Sequence, residues 1–517
     1  MKRHLISIHS GPTACSWPLE VLRQEVARAS LLPDCYAAYR PLLADALVFF
    51  LQRLSPWRLE RILSAQNRLS ASTTIAERLV ALLHHLPVLH KVGQVVARAR
   101  RLDSSFRQQL QKLESLEPGI PISTVIRLLH RECRGWQKAG IQLAEQPLAE
   151  GSVAIVLPFL WNESRHKRSI DGVFKLLKPG IKARLDEDLH IWCRLGEFLD
   201  EQCEYYGLPQ LDYQETFETV RNLLVHEVQL DQEQSHLAQA ARDYAGSSSV
   251  IIPELLPFCS ERLTAMRRLP GQLLNAWLLE HRPGTSNSPR WILARTIIQA
   301  LIAEPVFSRG PEAQFHADPH AGNLVVTSDG RLGILDWSLA GRLPNRTRTA
   351  LVQLLIGGIF QDIGQMERAL RVLVVQPGAT QKFIEVLRAG LRALRWGALP
   401  GVGWVTQLFD QLLCHAEVKF TPELLLFRKT LLTLEGVLSE LAEPGQHPDT
   451  LQDTVLAQEF MRHLFREWPE RFQLPFTSRA LATHLSTSDL LAACWTAPAG
   501  FGRFWANLWQ DLLGLQQ

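Results

Sequence analysis

The stretch FHADPHAGNLVVTSDGRLGILDW, residues 315–337, constrains the fold more than any other part of the chain. Two short apolar runs are joined by Asp329-Gly330, a strong hairpin signal because glycine takes the positive φ of a tight turn without steric cost. The hairpin is entered from a loop that holds two histidines, an aspartate and an asparagine. It is left through Asp336, which sits between apolar residues. Three readings are open for such a segment: a metal site, a nucleotide-phosphate site, or a polar structural turn.

The surrounding sequence divides into textures. CYAAYRPLLADALVFFLQRL and IAERLVALLHHLPVLHKVGQVVARARRL carry apolar residues at three- and four-residue spacings and read as helices. From about residue 147 the pattern shortens. GSVAIVLPFLW and DGVFKLLK are β-prone runs separated by polar NESRHKRSI, which suggests a second hairpin. SSSVIIPELL and ERLTAMRRLPG read as two further strands, and residues 344–445 read as helical. A β-rich piece containing a lysine, followed by a helical piece with a polar hairpin, is the layout of a two-lobed kinase. The expected fold is α+β and two-lobed protein-kinase-like, with a helical N-terminal extension and a largely helical C-lobe. The expected boundaries are 1–84 (helical N-terminal region), 85–146 (helical extension), 147–270 (N-lobe), 271–445 (C-lobe) and 446–517 (Trp-rich helical tail).

Phosphoryl transfer needs a carboxylate near the accepting oxygen and hard oxygen ligands for Mg2+. Asp318 and Asn323 have the D-x-x-x-x-N spacing of a kinase catalytic loop, and the hairpin returns Asp336 as a second metal ligand. His316 and His320 are four apart, but Pro319 between them is at odds with the regular helix that an i, i+4 zinc pair uses. These histidines are instead assigned to supporting the loop backbone and orienting Asp318. Lys175, at the end of a short apolar run, suits the strand lysine that meets the α- and β-phosphates.

Composition narrows the partners. A net charge of +3 is too small to make nucleic acid a main partner. The eight cysteines are scattered and form no CxxC pair, which argues against structural zinc or a disulfide framework and for a reducing, cytoplasmic compartment. The opening MKRHLISIHS is too short in its apolar part for a signal-peptide core. No run of about 18 apolar residues exists to span a bilayer. LLAACWTAPAGFGRFWANLW (490–509), with Trp495, Trp505 and Trp509, reads as an interfacial element, giving a peripheral contact on the inner face of a membrane or with another protein.

These residues together resemble the UbiB/AarF family of atypical kinase-like proteins. The family's catalytic and metal segments read approximately HADPHPGN and LDFG; here they are HADPHAGN (316–323) and LDWS (335–338). The family's nucleotide loop, typically P-L-A-A-A-S-I-A-Q-V, is matched by PLAEGSVAIV (147–156), and A-V-K-V-x-x-P-G-I by VFKLLKPGI (173–181). HKVGQ (90–94) resembles the K-x-G-Q signature, and FTPELLLFRKTLLTLEGVLSELAEP (420–444) the C-terminal helix. The resemblance implies ATP and Mg2+ as cofactors, with Lys91 and Gln94 folded over the nucleotide pocket where a protein kinase leaves room for a peptide. It further implies ATPase or small-molecule or lipid-linked phosphotransfer in isoprenoid quinone biosynthesis, and a lipid or quinone precursor as partner. In the nucleotide loop it selects Ala149, Gly151 and Ser152.

The chain departs from the pattern in several places. The family's E-x-D pair has two alignments in HEVQLDQEQS (226–235). One keeps Asp231 and puts Gln229 at the glutamate; the other keeps Glu227 and Glu233 and loses the aspartate. Asp231 is taken for the metal side and Glu233 as the partner of Lys175. Glu150 replaces an alanine and is expected to bring negative charge near the phosphates. Two alternatives stand beside the family reading. One is a small-molecule phosphotransferase of the aminoglycoside- or choline-kinase kind, which shares the H-x-D-x-x-x-x-N loop. The other is a non-catalytic nucleotide-binding scaffold.

Overall fold

The expected hairpin at residues 154–177 is the centre of an antiparallel sheet. Strands β1 (Ile141–Leu143), β2 (Ala149–Glu150), β3 (Ala154–Glu163), β4 (Arg168–Leu177) and β6 (Leu263–Arg267) form it in the order β1-β3-β4-β6, with β2 also pairing β3. Alternation along β3 and β4 buries Ile155, Leu157, Phe159, Phe174 and Leu176 on one face, where the helix Ile122–Glu132 adds Val125 and Leu129. Phe159 and Phe174 stack with centroids 4.0 Å apart. Gly172 lies opposite Phe159 in the register, and a Cβ there would meet the ring at 2.4 Å.

The structure is a computed structural model. It describes residues 19–29, 32, 34–97, 104–111, 113, 119–163, 168–208, 217, 221, 224–281, 288–376, 380–394, 400–416, 418–442, 448–493 and 495. Two compact units divide the chain: residues 1–232 with 256–268, and residues 233–255 with 269–517. The sheet above belongs to the first. That unit also holds a helical core, in which Phe50, Leu51, Leu86 and Val88 pack with Leu185, Trp192 and Cys203 of the 26-residue helix Ile181–Tyr206. At its centre Asp188, fully buried, pairs with Arg58 at 2.8 Å.

In the second unit the Asp329-Gly330 hairpin forms as expected. Strands β9 (Leu324–Thr327) and β10 (Leu332–Ile334) pair antiparallel, Gly330 has φ +81°, and Thr327 N–H donates to the Arg331 carbonyl at 2.9 Å. The sheet runs β5-β10-β9-β7, with β5 (Val250–Ile251) parallel to β10 and β7 (Gly271–Leu273) antiparallel to β9. The two strands expected in 247–271 therefore lie in different sheets. Pro253 has no N–H to continue a ladder, so β5 stops at two residues, and the following segment turns back to β6, with Leu256 N–H donating to the Ala265 carbonyl at 2.8 Å. A separate ribbon of β8 (Glu312–His316) and β11 (Ala340–Pro344) flanks the polar loop. The described residues between 345 and 442 are mainly helical, as expected, and also carry a short antiparallel pair, β12 (Val374–Gln376) with β13 (Lys419–Phe420).

A helix, Pro448–Arg471, begins the tail. Trp495 is exposed, while Trp505, Trp509 and the N-terminal 18 residues lie outside the described residues. Among the described residues no helix is long and apolar enough to cross a membrane.

Candidate active site

The polar loop of the second unit is held by its own backbone bonds. His316, at the end of β8, is buried and uses both ring nitrogens: Nδ1 accepts the Asp318 N–H at 3.2 Å, and Nε2 donates to the Leu335 carbonyl at 2.9 Å. That pairing requires the neutral Nε2–H tautomer. Burial agrees with it, pushing the imidazole below its ordinary value despite the nearby Leu335 carbonyl, Asp318 and Asp336. His320 Nδ1 accepts the Gly322 N–H at 3.1 Å, and its Nε2 stands 3.7 Å from Asp318 Oδ2. Both histidines thus shape the loop, in the roles expected of them.

Asn323 is fixed by its side-chain N–H, which donates to the Asp318 carbonyl at 3.0 Å. The amide oxygen is therefore the end turned away from that bond, and oxygen is the atom that a hard cation takes. Leu335 N–H donates to the Asn323 carbonyl at 2.8 Å, so the backbone next to Asp336 is tied to Asn323 directly. Asp336 has φ +49°, in the left-handed region that Asp and Asn enter more readily than β-branched or bulky residues. Its Oδ1 accepts the Ser338 N–H at 3.2 Å, an Asx turn that helps hold the bend. Trp337 is buried behind it against His316, with ring centroids 4.9 Å apart, so Trp337-Ser338 fills the place of the family's Phe-Gly.

These two oxygen donors fit Mg2+, which is commonly held by one or two carboxylates together with phosphate oxygens and water. Among the described residues no group of three or more His, Cys, Asp or Glu is gathered for a metal. The Nδ1 atoms of His316 and His320 are both occupied by backbone N–H groups, which disfavours a zinc pair.

In the first unit the K-x-G-Q helix, Pro87–Ala97, presents Lys91 and Gln94 to different partners. Lys91 forms an ion pair with Glu227 Oε1. Gln94 Nε2 donates to the Leu113 carbonyl at 2.9 Å, where the fully buried His90 donates beside it at 3.0 Å. The second oxygen of Glu227 accepts the Ser152 hydroxyl at 3.0 Å. Glu227 therefore links the K-x-G-Q helix to the nucleotide loop, which favours the alignment that keeps Glu227 and Glu233. Asp231, taken from the other alignment, is exposed at the start of the helix Leu230–Asp243. Glu233 is buried and Lys175 half-buried on β4, opposite Val156 and Thr264. Lys175 and Glu233 fall in different compact units.

The nucleotide loop is a tight turn: Ala149 and Glu150 pair with Val156 and Ile155, and Gly151 N–H donates to the Ala154 carbonyl at 2.9 Å. Glu150 corrects one expectation. Its carboxylate is 3% exposed and turned inward, 2.7 Å from Lys178 Nζ, and it accepts the N–H groups of Gly119 at 2.8 Å and Ile120 at 3.3 Å. Burial works to raise its pKa, but Lys178 and the Gly119 N–H outweigh that and hold it below the usual value. The negative charge is neutralised inside the fold. Sequence reasoning missed Lys178; the signals present were a glutamate in an alanine position and a second lysine in KLLK (175–178).

Comparison with known proteins adds four findings. Residues 113–370 match the ABC1 atypical kinase-like domain. An uncharacterized aarF domain-containing protein kinase of the Arabidopsis thaliana chloroplast is 27% identical over 304 residues, covering 57% of this chain and 53% of that protein, so the match spans about half of that relative. A probable protein kinase UbiB of Azotobacter vinelandii is 25% identical over 407 residues, covering 75% of this chain and 71% of that protein. Among solved structures, the complex of Rv3197 with erythromycin from Mycobacterium tuberculosis is similar at a TM-score of 0.46 and 17% identity, covering 71% of this chain and 88% of that one.

Proposed function

We propose that this chain, which belongs to the UbiB/AarF family of atypical kinase-like proteins, binds ATP with Mg2+ and transfers or hydrolyses its terminal phosphate. The fold is α+β and kinase-like, as the sequence leads one to expect. The observation that supports the proposal is the bond from Leu335 N–H to the Asn323 carbonyl, which ties the residue before Asp336 to Asn323, while the Asn323 side chain holds the Asp318 carbonyl.

Asn323 and Asp336 would hold the Mg2+, which when bound neutralises charge on the phosphate oxygens and aligns them. Asp318 accepts the proton of the attacking hydroxyl or water. His316, buried and neutral, keeps the loop in register by bonding on both sides. On the nucleotide side, the family resemblance assigns Lys175 to the phosphates, and Gly151 and Ser152 would bring loop backbone close to them. Ala149 frames the same turn. Lys91 and Gln94 on their helix are the family's replacement for a peptide-binding surface, so a small or lipid-linked acceptor, such as an isoprenoid quinone precursor, is favoured over a protein substrate. The chain would then act at a membrane surface, as a peripheral protein. The Lys91–Glu227–Ser152 connection supports this reading over an aminoglycoside-kinase-like one, because that group lacks the K-x-G-Q segment.

Calorimetry of the full chain tests the proposal. ATP binding is expected with Mg2+ and is expected to vanish both with EDTA and in Asp336→Asn. Equal ATP affinity with and without Mg2+ overturns it.

A further inference from the structure

The carboxylate of Asp318 is met from outside its own loop. Lys429 Nζ, on the helix Pro422–Leu441, lies 3.6 Å from Asp318 Oδ1, while His320 from the loop approaches Oδ2 at 3.7 Å. The helix is fastened to the strand that delivers the loop. Phe427, two residues before Lys429, packs edge-on against Phe315 of β8 with ring centroids 5.1 Å apart, and both rings are buried. Thr430, the next residue after Lys429, is fully buried, and its hydroxyl donates to the Leu426 carbonyl at 3.1 Å. The stem of Lys429 is thus set on a rigid element, which is how a catalytic group has to be supported. The lysine itself is 37% exposed.

The separation matters as much as the proximity. At 3.6 Å the ammonium is within ionic reach of Asp318 but beyond the usual 2.7–3.2 Å of an N–H···O hydrogen bond. The contact between the two is ionic, and a more strongly charged set of oxygens arriving beside Asp318 would draw the ammonium to itself. Charge on a transferring phosphoryl group spreads over three equatorial oxygens, and a cation supplied there is among the largest catalytic contributions in phosphoryl transfer. A compact, freely rotating ammonium suits that task as a point charge.

We propose that Lys429 is the cation that meets the transferred phosphoryl group. This rests on the nucleotide reading above. In the free protein Lys429 faces Asp318; with nucleotide present it turns to the phosphoryl oxygens and leaves Asp318 as the base. The bond from phosphorus to the bridging oxygen breaks with its electron pair staying on the nucleoside diphosphate. The acceptor oxygen forms the new bond to phosphorus, and its proton passes to Asp318. No covalent bond to Lys429 forms or breaks.

The test compares parent, Lys429→Met and Lys429→Arg by calorimetry with MgADP alone and with MgADP plus aluminium fluoride, a mimic of the phosphoryl group in flight. Lys429→Met is expected to weaken the mimic about 100-fold while changing MgADP less than about 2-fold, and Lys429→Arg to recover most of the loss. A merely structural lysine would weaken both ligands alike or neither. Either of those results overturns the assignment of Lys429, provided the parent binds MgADP. If the parent binds no nucleotide with Mg2+, the nucleotide reading itself fails and takes this assignment with it. Melting temperatures of the three proteins without ligand, expected within about 2 °C of one another, separate misfolding from lost chemistry.

Discussion

Glu150 and Lys178 form an ion pair at 2.7 Å with both side chains almost entirely buried, inside a loop where the family carries alanine. A glutamate that looks unfavourable for phosphate binding is therefore a structural tie between the nucleotide loop, the end of β4 and residues 119–120. Removing one member of such a pair leaves the other charge buried without compensation. Glu150→Ala is expected to cost about 3–5 kcal/mol and lower the melting temperature by roughly 10 °C. Glu150→Ala combined with Lys178→Met is expected to regain at least half of that. A double variant no more stable than the single one would show that the pair is not the cause.

Lys91 and Glu227 offer a second measurement. Their side chains are 17% and 14% exposed, between the weak surface case and the costly buried one. A double-mutant cycle with Lys91→Ala and Glu227→Ala in urea unfolding is expected to give a coupling of about 1–2 kcal/mol. Ser152→Ala is expected to couple to Glu227→Ala and, through it, to Lys91→Ala. Additive behaviour of Lys91 and Glu227 would mean that the helix and the loop are not energetically joined.

Asp336 separates chemistry from conformation. Asparagine tolerates a φ of +49° well, so Asp336→Asn should fold with a melting temperature within about 2 °C of the parent while losing Mg2+-dependent binding. Asp336→Val removes the charge and also forces a β-branched residue into the left-handed region. An additional loss of about 1–3 kcal/mol is expected in denaturant titration. Equal stability of the Asn and Val variants would contradict the strain.

Acid should destabilise both units through buried histidines. Burial pushes His90 in the first unit and His484 in the second down to about 4 from an ordinary 6.5, and both are fully buried. Between those values the unfolded chain binds a proton that the folded chain does not, so stability is fully present above pH 6.5 and is lost as pH falls toward 4. Each histidine is expected to contribute about 1.4 kcal/mol per pH unit in that window. Urea midpoints measured from pH 7.5 to 4.5 should fall accordingly, and His90→Gln should flatten the slope for the first unit. An unchanged slope in that variant would mean that another group carries the effect.

Much of this was legible in the sequence because local chemistry set it. Asp329-Gly330 specifies its hairpin within four residues, and the spacing from Asp318 to Asn323 is fixed by the loop they share. What escaped depended on distance along the chain. Phe427 and Phe315 bring Lys429 to Asp318 across more than a hundred residues, and no periodicity or spacing reports such a contact. The choice between Glu227 and Asp231 hung on which one meets Lys91, a tertiary fact. The separation of β5 from β6 was similarly hidden, since each has strand composition and only Pro253 hints that the chain changes sheets.

The sheet order β5-β10-β9-β7 has a consequence for handling the protein. Both strands of the hairpin leading to Asp336 are interior, so their apolar Leu-Val-Val and Leu-Gly-Ile edges are covered by neighbours of only two and three residues. Such short outer strands offer little template for another chain. Any truncation or nick that strips β5 or β7 would uncover one edge of the hairpin Leu324–Ile334, ready to pair with its own copies, and the first symptom would be fibrous aggregation rather than loss of turnover.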